Sequence, residues 1–217
     1  PPILAKYGPP DDRDHLGMRH GLEYEADVYR YVLADLAGPP RFFGSHADDL
    51  RGWTWLFLEY LDEGWQLDLG PDTAIVEAAA MLGDLHRVAA GGLSAGVRRR
   101  LNHYDSAYFR RCLDQAAGQV ASWPEPVPCF ERLLSQFEGA IPALAAAPLT
   151  VVHGEFTPHN VVWAHERPRT VDWEQAAAGP GEIDLAALTD EWPPELVDPA
   201  IEAYAARRWG PRPPQDF

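Results

Sequence analysis

Hydrophobic residues recur at helical spacing in two parts of this chain, 15–36 and 74–90. Apolar side chains three or four positions apart form one face of a helix, so each of these patterns predicts an amphipathic helix. Three further segments are candidate helices, at 104–120, 128–144 and 195–208. The helix at 74–90 is expected to end at Gly91-Gly92, because glycine favours helix C-termini.

Other apolar runs have the length and composition of strands. Residues 53–61 are almost continuously aliphatic and aromatic, which is typical of a buried strand. A short apolar run at 1–7 carries a single lysine. Two further runs, at 151–152 and 161–163, enclose a polar loop. Helices and strands are therefore mixed, and the predicted class is α+β.

The polar loop and the segment after it carry the most informative chemistry. Glu155 and Asn160 lie in the loop, and Asp172 follows the second strand at short range. Carboxylate and amide oxygens are the ligands that Mg²⁺ prefers. A further carboxylate can orient or deprotonate a hydroxyl. This is the equipment of phosphoryl transfer, in which positioning and charge neutralisation supply most of the catalysis.

Three sequence elements resemble one family. They are His153-Gly154-Glu155 with Asn160, then Val171-Asp172-Trp173-Glu174, then a Gly-rich turn leading into Asp184 in Gly179–Ala186. In this order they resemble the aminoglycoside phosphotransferase and choline kinase-like family, small-molecule relatives of the protein kinases. The resemblance implies a protein-kinase-like two-lobed fold. A small strand-plus-helix lobe would cover 1–61, and a mainly helical lobe with the catalytic loop and acceptor pocket would cover 62–217.

The resemblance also implies a role for each matching residue. Glu155 would face the substrate hydroxyl as a base or orienting acceptor. Asn160 and Asp172 would bind Mg²⁺ bridging the phosphates of ATP. His153 would brace the loop, and Asp184 would support it from the following helix.

One position departs from the family pattern, because Glu155 stands where the family has aspartate. The extra methylene moves the carboxylate by roughly 1–1.5 Å on an unchanged backbone, and about 1 Å of misplacement can cost around a hundredfold in rate. The loose transition state of phosphoryl transfer, however, makes little demand for a strong base. Both an active kinase and a weakened or inactive pseudokinase that binds nucleotide or ligand therefore remain open. The retained metal-ligand positions favour the enzyme.

The N-terminal part supplies candidate nucleotide contacts. By the same resemblance, Lys6 would contact the α- and β-phosphates, and Glu25 on the first helix would pair with it. The segment Glu59, Tyr60 and Leu61 would form the hinge that binds adenine through its backbone. GTP is an alternative to ATP, and the geometry of the hinge decides between the two nucleotides.

No counterpart of the two strands and glycine-rich phosphate lid of a kinase small lobe precedes the lysine run. Either these parts lie outside this sequence or the protein lacks them. A glycine-rich lid would favour the enzyme, and its absence would favour the binding module, because the lid captures phosphates and excludes water.

The net charge limits the kinds of partner that the protein is expected to bind. The chain has 18 basic and 33 acidic residues, a formal charge of −15. This disfavours nucleic acid and is compatible with a cationic acceptor, although acidic surfaces also serve solubility. A group of acids lies where the family builds its acceptor pocket: Glu174, Glu182, Asp190, Glu191 and Glu195. The acceptor remains open between an antibiotic and a metabolite.

The remaining composition predicts a cytoplasmic protein. No apolar run approaches the roughly 20 residues of a membrane span, and no signal-peptide pattern opens the sequence. Two cysteines without metal-binding spacing are expected to be reduced thiols. Frequent Ala, Arg and Pro suggest a bacterial source.

Overall fold

The computed structural model describes residues 2–9, 20–123, 128–190 and 192–211. Within these ranges the chain forms helices, short strands and two single 3₁₀ turns. The helices are α1 (Leu22–Tyr31), α2 (Ala74–Gly92), α3 (Ala95–Arg98), α4 (Ser106–Ala121), α5 (Pro128–Ala146), α6 (Glu182–Thr189) and α7 (Pro194–Trp209). The 3₁₀ turns are Leu67–Leu69 and Pro158–Asn160.

A three-stranded antiparallel sheet and one helix form the N-terminal part. The strands are β1 (Ile3–Gly8), β2 (Phe42–Asp48) and β3 (Trp53–Glu59), in the order β1-β3-β2. The apolar β3 is the central strand, and its residues Leu56 and Leu58 are buried in the same cluster as side chains of α1. Helix α1 buries Ala26, Val28 and Tyr29 against this sheet.

Two smaller sheets frame the polar loop. One has the order β4-β7-β8, with β4 (Trp65–Gln66), β7 (Val161–Ala164) and β8 (Arg167–Thr170). The other has the order β5-β9-β6, with β5 (Asn102–His103), β6 (Leu149–Val152) and β9 (Ala177–Pro180). Because β6 leads into the loop and β7 leaves it, the loop is anchored to a different sheet at each end.

Helix α2 is the central helix of the larger part. One of its faces is fully buried at Ile75, Ala78 and Leu82, and it packs along α7. Its residue Gly83 allows this close contact, since an added Cβ would lie 2.6 Å from the carbonyl oxygen of Tyr204. Further along, α2 joins a buried cluster that includes Leu56 of β3 and Trp173.

The structure differs from the sequence predictions at several boundaries. Helix α2 continues through Gly91 and Gly92, where a stop was predicted, because the chain there is exposed and glycine costs only about 1 kcal/mol in a helix. The strand predicted at 53–61 ends at Glu59. The part of the first predicted helix at 15–19 lies outside the described residues, and the described helix begins at Leu22.

The Gly-rich turn predicted before Asp184 is also different. Gly179 and Pro180 belong to the buried strand β9, and only Gly181 separates that strand from α6. Ala177–Pro180 lacks the β-branched and aromatic residues that mark strands, so its sequence does not predict this strand. Small residues are required here, since an added Cβ on Gly179 would lie 3.0 Å from the Tyr104 side chain.

Candidate active site

The loop between β6 and β7 is held by a buried carboxylate. Asp184, on the first turn of α6, is only 1% exposed. Its two oxygens accept the backbone N–H groups of His153 at 2.7 Å and Gly154 at 3.0 Å. The start of the loop is therefore fixed to α6 by two charge-assisted hydrogen bonds.

A line of side chains continues from Asp184 into the core. The buried His86 imidazole donates from Nε2 to Asp184 at 3.2 Å and accepts the Tyr204 hydroxyl at Nδ1, 3.0 Å away. Arg208 in turn donates to the Tyr204 oxygen at 2.6 Å. Burial lowers the pKa of His86, which suits this neutral tautomer. The Arg208 guanidinium thus helps to orient, through Tyr204 and His86, the carboxylate that holds the loop.

His153 braces the loop from inside. It is fully buried, donates from Nε2 to the Val171 carbonyl at 2.8 Å, and accepts the Glu155 N–H at Nδ1 at 3.3 Å. Burial lowers the pKa of His153, and the neutral ring supplies the one donor and one acceptor that these bonds require. The ring joins the loop to the segment that precedes Asp172.

Gly154 permits a close approach that other residues would prevent. Its φ is +85°, in the left-handed region, and an added Cβ would lie 2.4 Å from the Gln175 carbonyl oxygen.

We therefore expect Gly154→Ala to destabilise the fold by about 2 kcal/mol or more, since strain and overpacking add. Chemical denaturation measures this change, with Gly118→Ala as the control because nothing lies within 4 Å of a Cβ there. An unchanged free energy of unfolding would contradict the described packing.

Lys6 joins the two parts of the molecule. Its ammonium group lies 2.7 Å from Glu25 Oε2 and also contacts an Asp172 carboxylate oxygen. Burial opposes ionisation of the lysine, but the two carboxylates outweigh it, so the pKa of Lys6 is raised. The N-terminal strand, helix α1 and the Asp172 segment therefore meet at one cation.

Glu25 has a second partner that fixes its position. It is completely buried, and its Oε1 accepts the backbone N–H of Trp173 at 3.2 Å. Burial raises the pKa of Glu25, and the Lys6 ammonium opposes that shift. One carboxylate thus holds both the lysine and the backbone immediately after Asp172.

Replacement of Glu25 by alanine tests this arrangement. We expect a loss of about 2–3 kcal/mol in the free energy of unfolding, because the change removes the buried partner of the part-buried Lys6 ion pair and leaves the Trp173 N–H without its acceptor. Glu23→Ala on the exposed side of the same helix is the matched control. Equal stability of the two variants, measured by urea denaturation, would contradict this role.

Asp172 itself has an unusual backbone conformation. Its φ is +71°, which is uncommon for a residue with a side chain. Such strain persists only where the surroundings impose it, and it occurs at functional sites more often than elsewhere. Its carboxylate is 44% exposed and can therefore meet a ligand.

Glu155 and Asn160 are half-buried and lie on either side of the buried residues Phe156 and Pro158 of the loop. The Asn160 amide nitrogen donates to the Glu155 carbonyl oxygen at 2.9 Å, which turns the amide oxygen to the opposite side. The Asn160 carbonyl accepts the Val171 N–H at 3.0 Å, so Asn160 lies beside the Asp172 segment. The Glu155 carboxylate accepts the side-chain amide of Gln175 at 2.7 Å.

The donors at Asn160 and Asp172 fit a hard cation. No cluster of three His, Cys, Asp or Glu side chains suited to metal binding occurs among the described residues. Mg²⁺, however, commonly binds through one or two protein oxygens together with substrate phosphates and water. A carboxylate and an amide oxygen on neighbouring backbone segments meet this requirement.

The predicted hinge residues make internal contacts. The N–H of Glu59 donates to the Arg41 carbonyl at 2.8 Å, and the N–H of Tyr60 donates to the Pro2 carbonyl at 3.2 Å. The Glu59 carboxylate forms a salt bridge with Arg169 at 2.7 Å. A nucleotide base here would have to use other groups of this segment, which includes Leu61.

The acidic residues predicted near the acceptor pocket differ in their surroundings. Glu182 lies 3.9 Å from the buried Arg208, which offsets its charge. Asp190 and Glu195 are exposed, and Glu191 lies outside the described residues. The case for a cationic acceptor therefore rests on overall charge more than on this cluster.

Several contacts at the site were not apparent from the sequence. Gln175 belongs to none of the short motifs. Arg208, Tyr204 and His86 form a series of hydrogen-bonded side chains that come from distant parts of the chain, so no short motif contains them. The one available signal was Gln175 lying directly after the Asp-Trp-Glu element.

Comparison with known proteins identifies the fold. A choline kinase from Streptococcus pneumoniae superimposes with a TM-score of 0.64 at 15% identity, covering 93% of this chain and 66% of the kinase. The GDP complex of an aminoglycoside 2'-phosphotransferase gives a TM-score of 0.67 at 13% identity, covering 84% of this chain and 65% of that one. A macrolide 2'-phosphotransferase from Brachybacterium faecium gives 0.65 at 19%, covering 97% and 71%.

These likenesses confirm the predicted protein-kinase-like α+β fold. The chain spans about two thirds of the length of the first two structures. No curated protein matches it. In the described ranges, no helix is both long and apolar enough to cross a membrane.

A family model provides the decisive comparison. The model described as the phosphotransferase enzyme family matches residues 15–217. This match includes the polar loop, Asp172 and Asp184, and leaves out only the first residues with Lys6. By this match, the chain belongs to the phosphotransferase enzyme family.

Proposed function

We propose that this protein transfers the γ-phosphoryl group of ATP, with Mg²⁺, to a hydroxyl group of a small molecule. The observation that carries the proposal is the meeting of Lys6, Glu25 and Asp172 beside the loop with Glu155 and Asn160. Membership of the phosphotransferase family supports it. A cation, a metal-binding pair and a further carboxylate beside them are the parts that phosphoryl transfer requires.

Each residue has a proposed task. Lys6, held by Glu25, binds phosphate oxygens and offsets their charge. Asn160 and Asp172 hold Mg²⁺, which neutralises charge on the phosphates when bound. Glu155 accepts the hydrogen bond of the acceptor hydroxyl and orients it for in-line attack. When nucleotide binds, the Lys6 ammonium is expected to turn from Asp172 towards the phosphates.

The acceptor is proposed to be an amine-bearing alcohol. The structures with similar folds include a choline kinase and an aminoglycoside 2'-phosphotransferase, and the chain has a formal charge of −15. An acidic protein attracts cations to its clefts. ATP is the proposed donor, although one similar structure is a GDP complex, so both nucleotides belong in the test.

A second candidate is a pseudokinase that binds nucleotide without turnover. The residue that favours it is Glu155, whose longer side chain stands where the family has aspartate. In this case the protein would act as a nucleotide-dependent binding module.

Thermal shift and nucleotide consumption distinguish the two candidates. The purified full-length protein is incubated with ATP or GTP, with and without Mg²⁺, in the presence of choline, an aminoglycoside or a macrolide. The enzyme predicts acceptor-dependent release of nucleoside diphosphate. The pseudokinase predicts Mg²⁺-dependent stabilisation by nucleotide and no release with any acceptor. Absence of both effects would overturn both candidates.

A further inference from the structure

Gln175 lies where it can control the carboxylate proposed to orient the acceptor. Its side-chain amide nitrogen donates to Glu155 Oε2 at 2.7 Å. Both side chains are partly buried. A hydrogen bond to a carboxylate restricts its rotation and is stronger than a bond between neutral groups.

The backbone of Gln175 is fixed independently of this hydrogen bond. Its carbonyl oxygen accepts the hydroxyl of Tyr104 at 2.9 Å. The next residue, Ala176, accepts the hydroxyl of Tyr24 through its own carbonyl. Two tyrosines therefore hold this segment: Tyr24 in helix α1, and Tyr104 in the short connection between β5 and α4.

The same segment packs against the loop that carries Glu155. Gly154 approaches so closely that an added Cβ would lie 3.0 Å from the Gln175 Cβ and 2.4 Å from its carbonyl oxygen. Residues 154 and 155 thus contact Gln175 through backbone packing and through a side-chain hydrogen bond. A movement of one segment has to move the other.

We propose that Gln175 is a positioning residue that sets the place of the Glu155 carboxylate for phosphoryl transfer. Glutamate has one more methylene than aspartate and one more rotatable bond, so its carboxylate needs an additional restraint to stay in one place. The Gln175 amide supplies that restraint from a rigid segment. This inference rests on the proposed function, because it assigns the reason that glutamate can serve at this position.

The first test is Gln175→Ala in the full-length protein, measured with ATP, Mg²⁺ and the acceptor that the wild type uses. We expect kcat to fall about tenfold or more, because small displacements of a reacting group are costly. The KM for ATP is expected to stay within about twofold, since Gln175 touches no proposed nucleotide ligand. Gln119→Ala, on the exposed surface of α4, is the matched control. A kcat equal to that of the control would overturn the proposal.

A double-mutant cycle separates positioning from general support of the fold. In a Glu155→Asp background the carboxylate is shorter and withdraws from the Gln175 amide. We expect Gln175→Ala to change kcat by less than about twofold there, because interacting residues are non-additive. An equal loss of kcat in both backgrounds means that Gln175 acts through something other than Glu155.

A readout without turnover keeps the inference testable if the wild type proves inactive. If the wild type shows no turnover, this result refutes the proposed function but does not refute the contact between Gln175 and Glu155. The side-chain amide resonances of Gln175 are then compared by NMR in the wild type and in Glu155→Gln, with Glu131→Gln on the exposed part of α5 as the control. A specific shift in the first variant supports the Gln175–Glu155 contact, and an unchanged resonance overturns it.

Discussion

Replacement of Asp172 by alanine is expected to reduce Mg²⁺-dependent phosphoryl transfer by about a thousandfold or more, because the proposed metal loses its charged ligand. The same change should leave the fold nearly intact. The carboxylate is 44% exposed, and its ion pair with Lys6 is partly open to solvent, so its loss costs about 1 kcal/mol or less. Steady-state kinetics and urea denaturation measure the two effects.

Two control variants distinguish this role from a local structural one. Asp114→Ala removes a carboxylate from the exposed face of α4 and should preserve turnover. Asp172→Asn keeps the side-chain shape and suits the positive φ, but still removes the charge, and should be nearly as inactive as the alanine variant. Wild-type turnover in either Asp172 variant would refute the assignment of this residue to the metal.

Replacement of Asp184 by alanine has the largest expected effect on stability. The buried carboxylate accepts two loop N–H groups and the His86 imidazole. All three donors lose their acceptor. We expect the free energy of unfolding to fall by about 3–5 kcal/mol, which lowers the melting temperature by about 10 °C in a domain of this size.

The control for Asp184 is an exposed aspartate on the adjacent helix. Asp198→Ala, on α7, should leave the melting temperature unchanged within about 2 °C. Differential scanning calorimetry of the two variants gives the comparison. If Asp184→Ala and the control have the same melting temperature, the hydrogen-bonded side chains from Arg208 to the loop contribute little to the stability of the fold.

The sequence was most informative where function and structure use the same short segment. Glu155, Asn160 and Asp172 are recognisable because a loop between two strands leaves a characteristic order of polar and apolar residues. Lys6 and Glu25 could be paired through the family resemblance, which places a lysine on a strand and its glutamate partner on the helix that follows. The α2 helix was equally visible, since its buried face follows a regular spacing.

The remaining contacts depend on tertiary packing that no local pattern records. His86, Tyr204 and Arg208 lie on α2 and α7, far apart in sequence from the loop that they support. Strand β9 has the composition of a turn, yet it pairs with β6, and the close approach of Tyr104 to Gly179 explains why a small residue stands there. The contact of Gln175 with Glu155 likewise depends on how closely Gly154 approaches.

Detection of the phosphorylated acceptor by mass spectrometry tests the proposed phosphoryl transfer itself. Wild-type protein and Asp172→Asn are incubated separately with ATP, Mg²⁺ and the panel of choline, aminoglycoside and macrolide. We expect the wild type to phosphorylate at least one of these alcohols, and we expect no such product from the variant. Nucleotide binding with no phosphorylated product from any member of the panel would contradict the kinase and favour the pseudokinase.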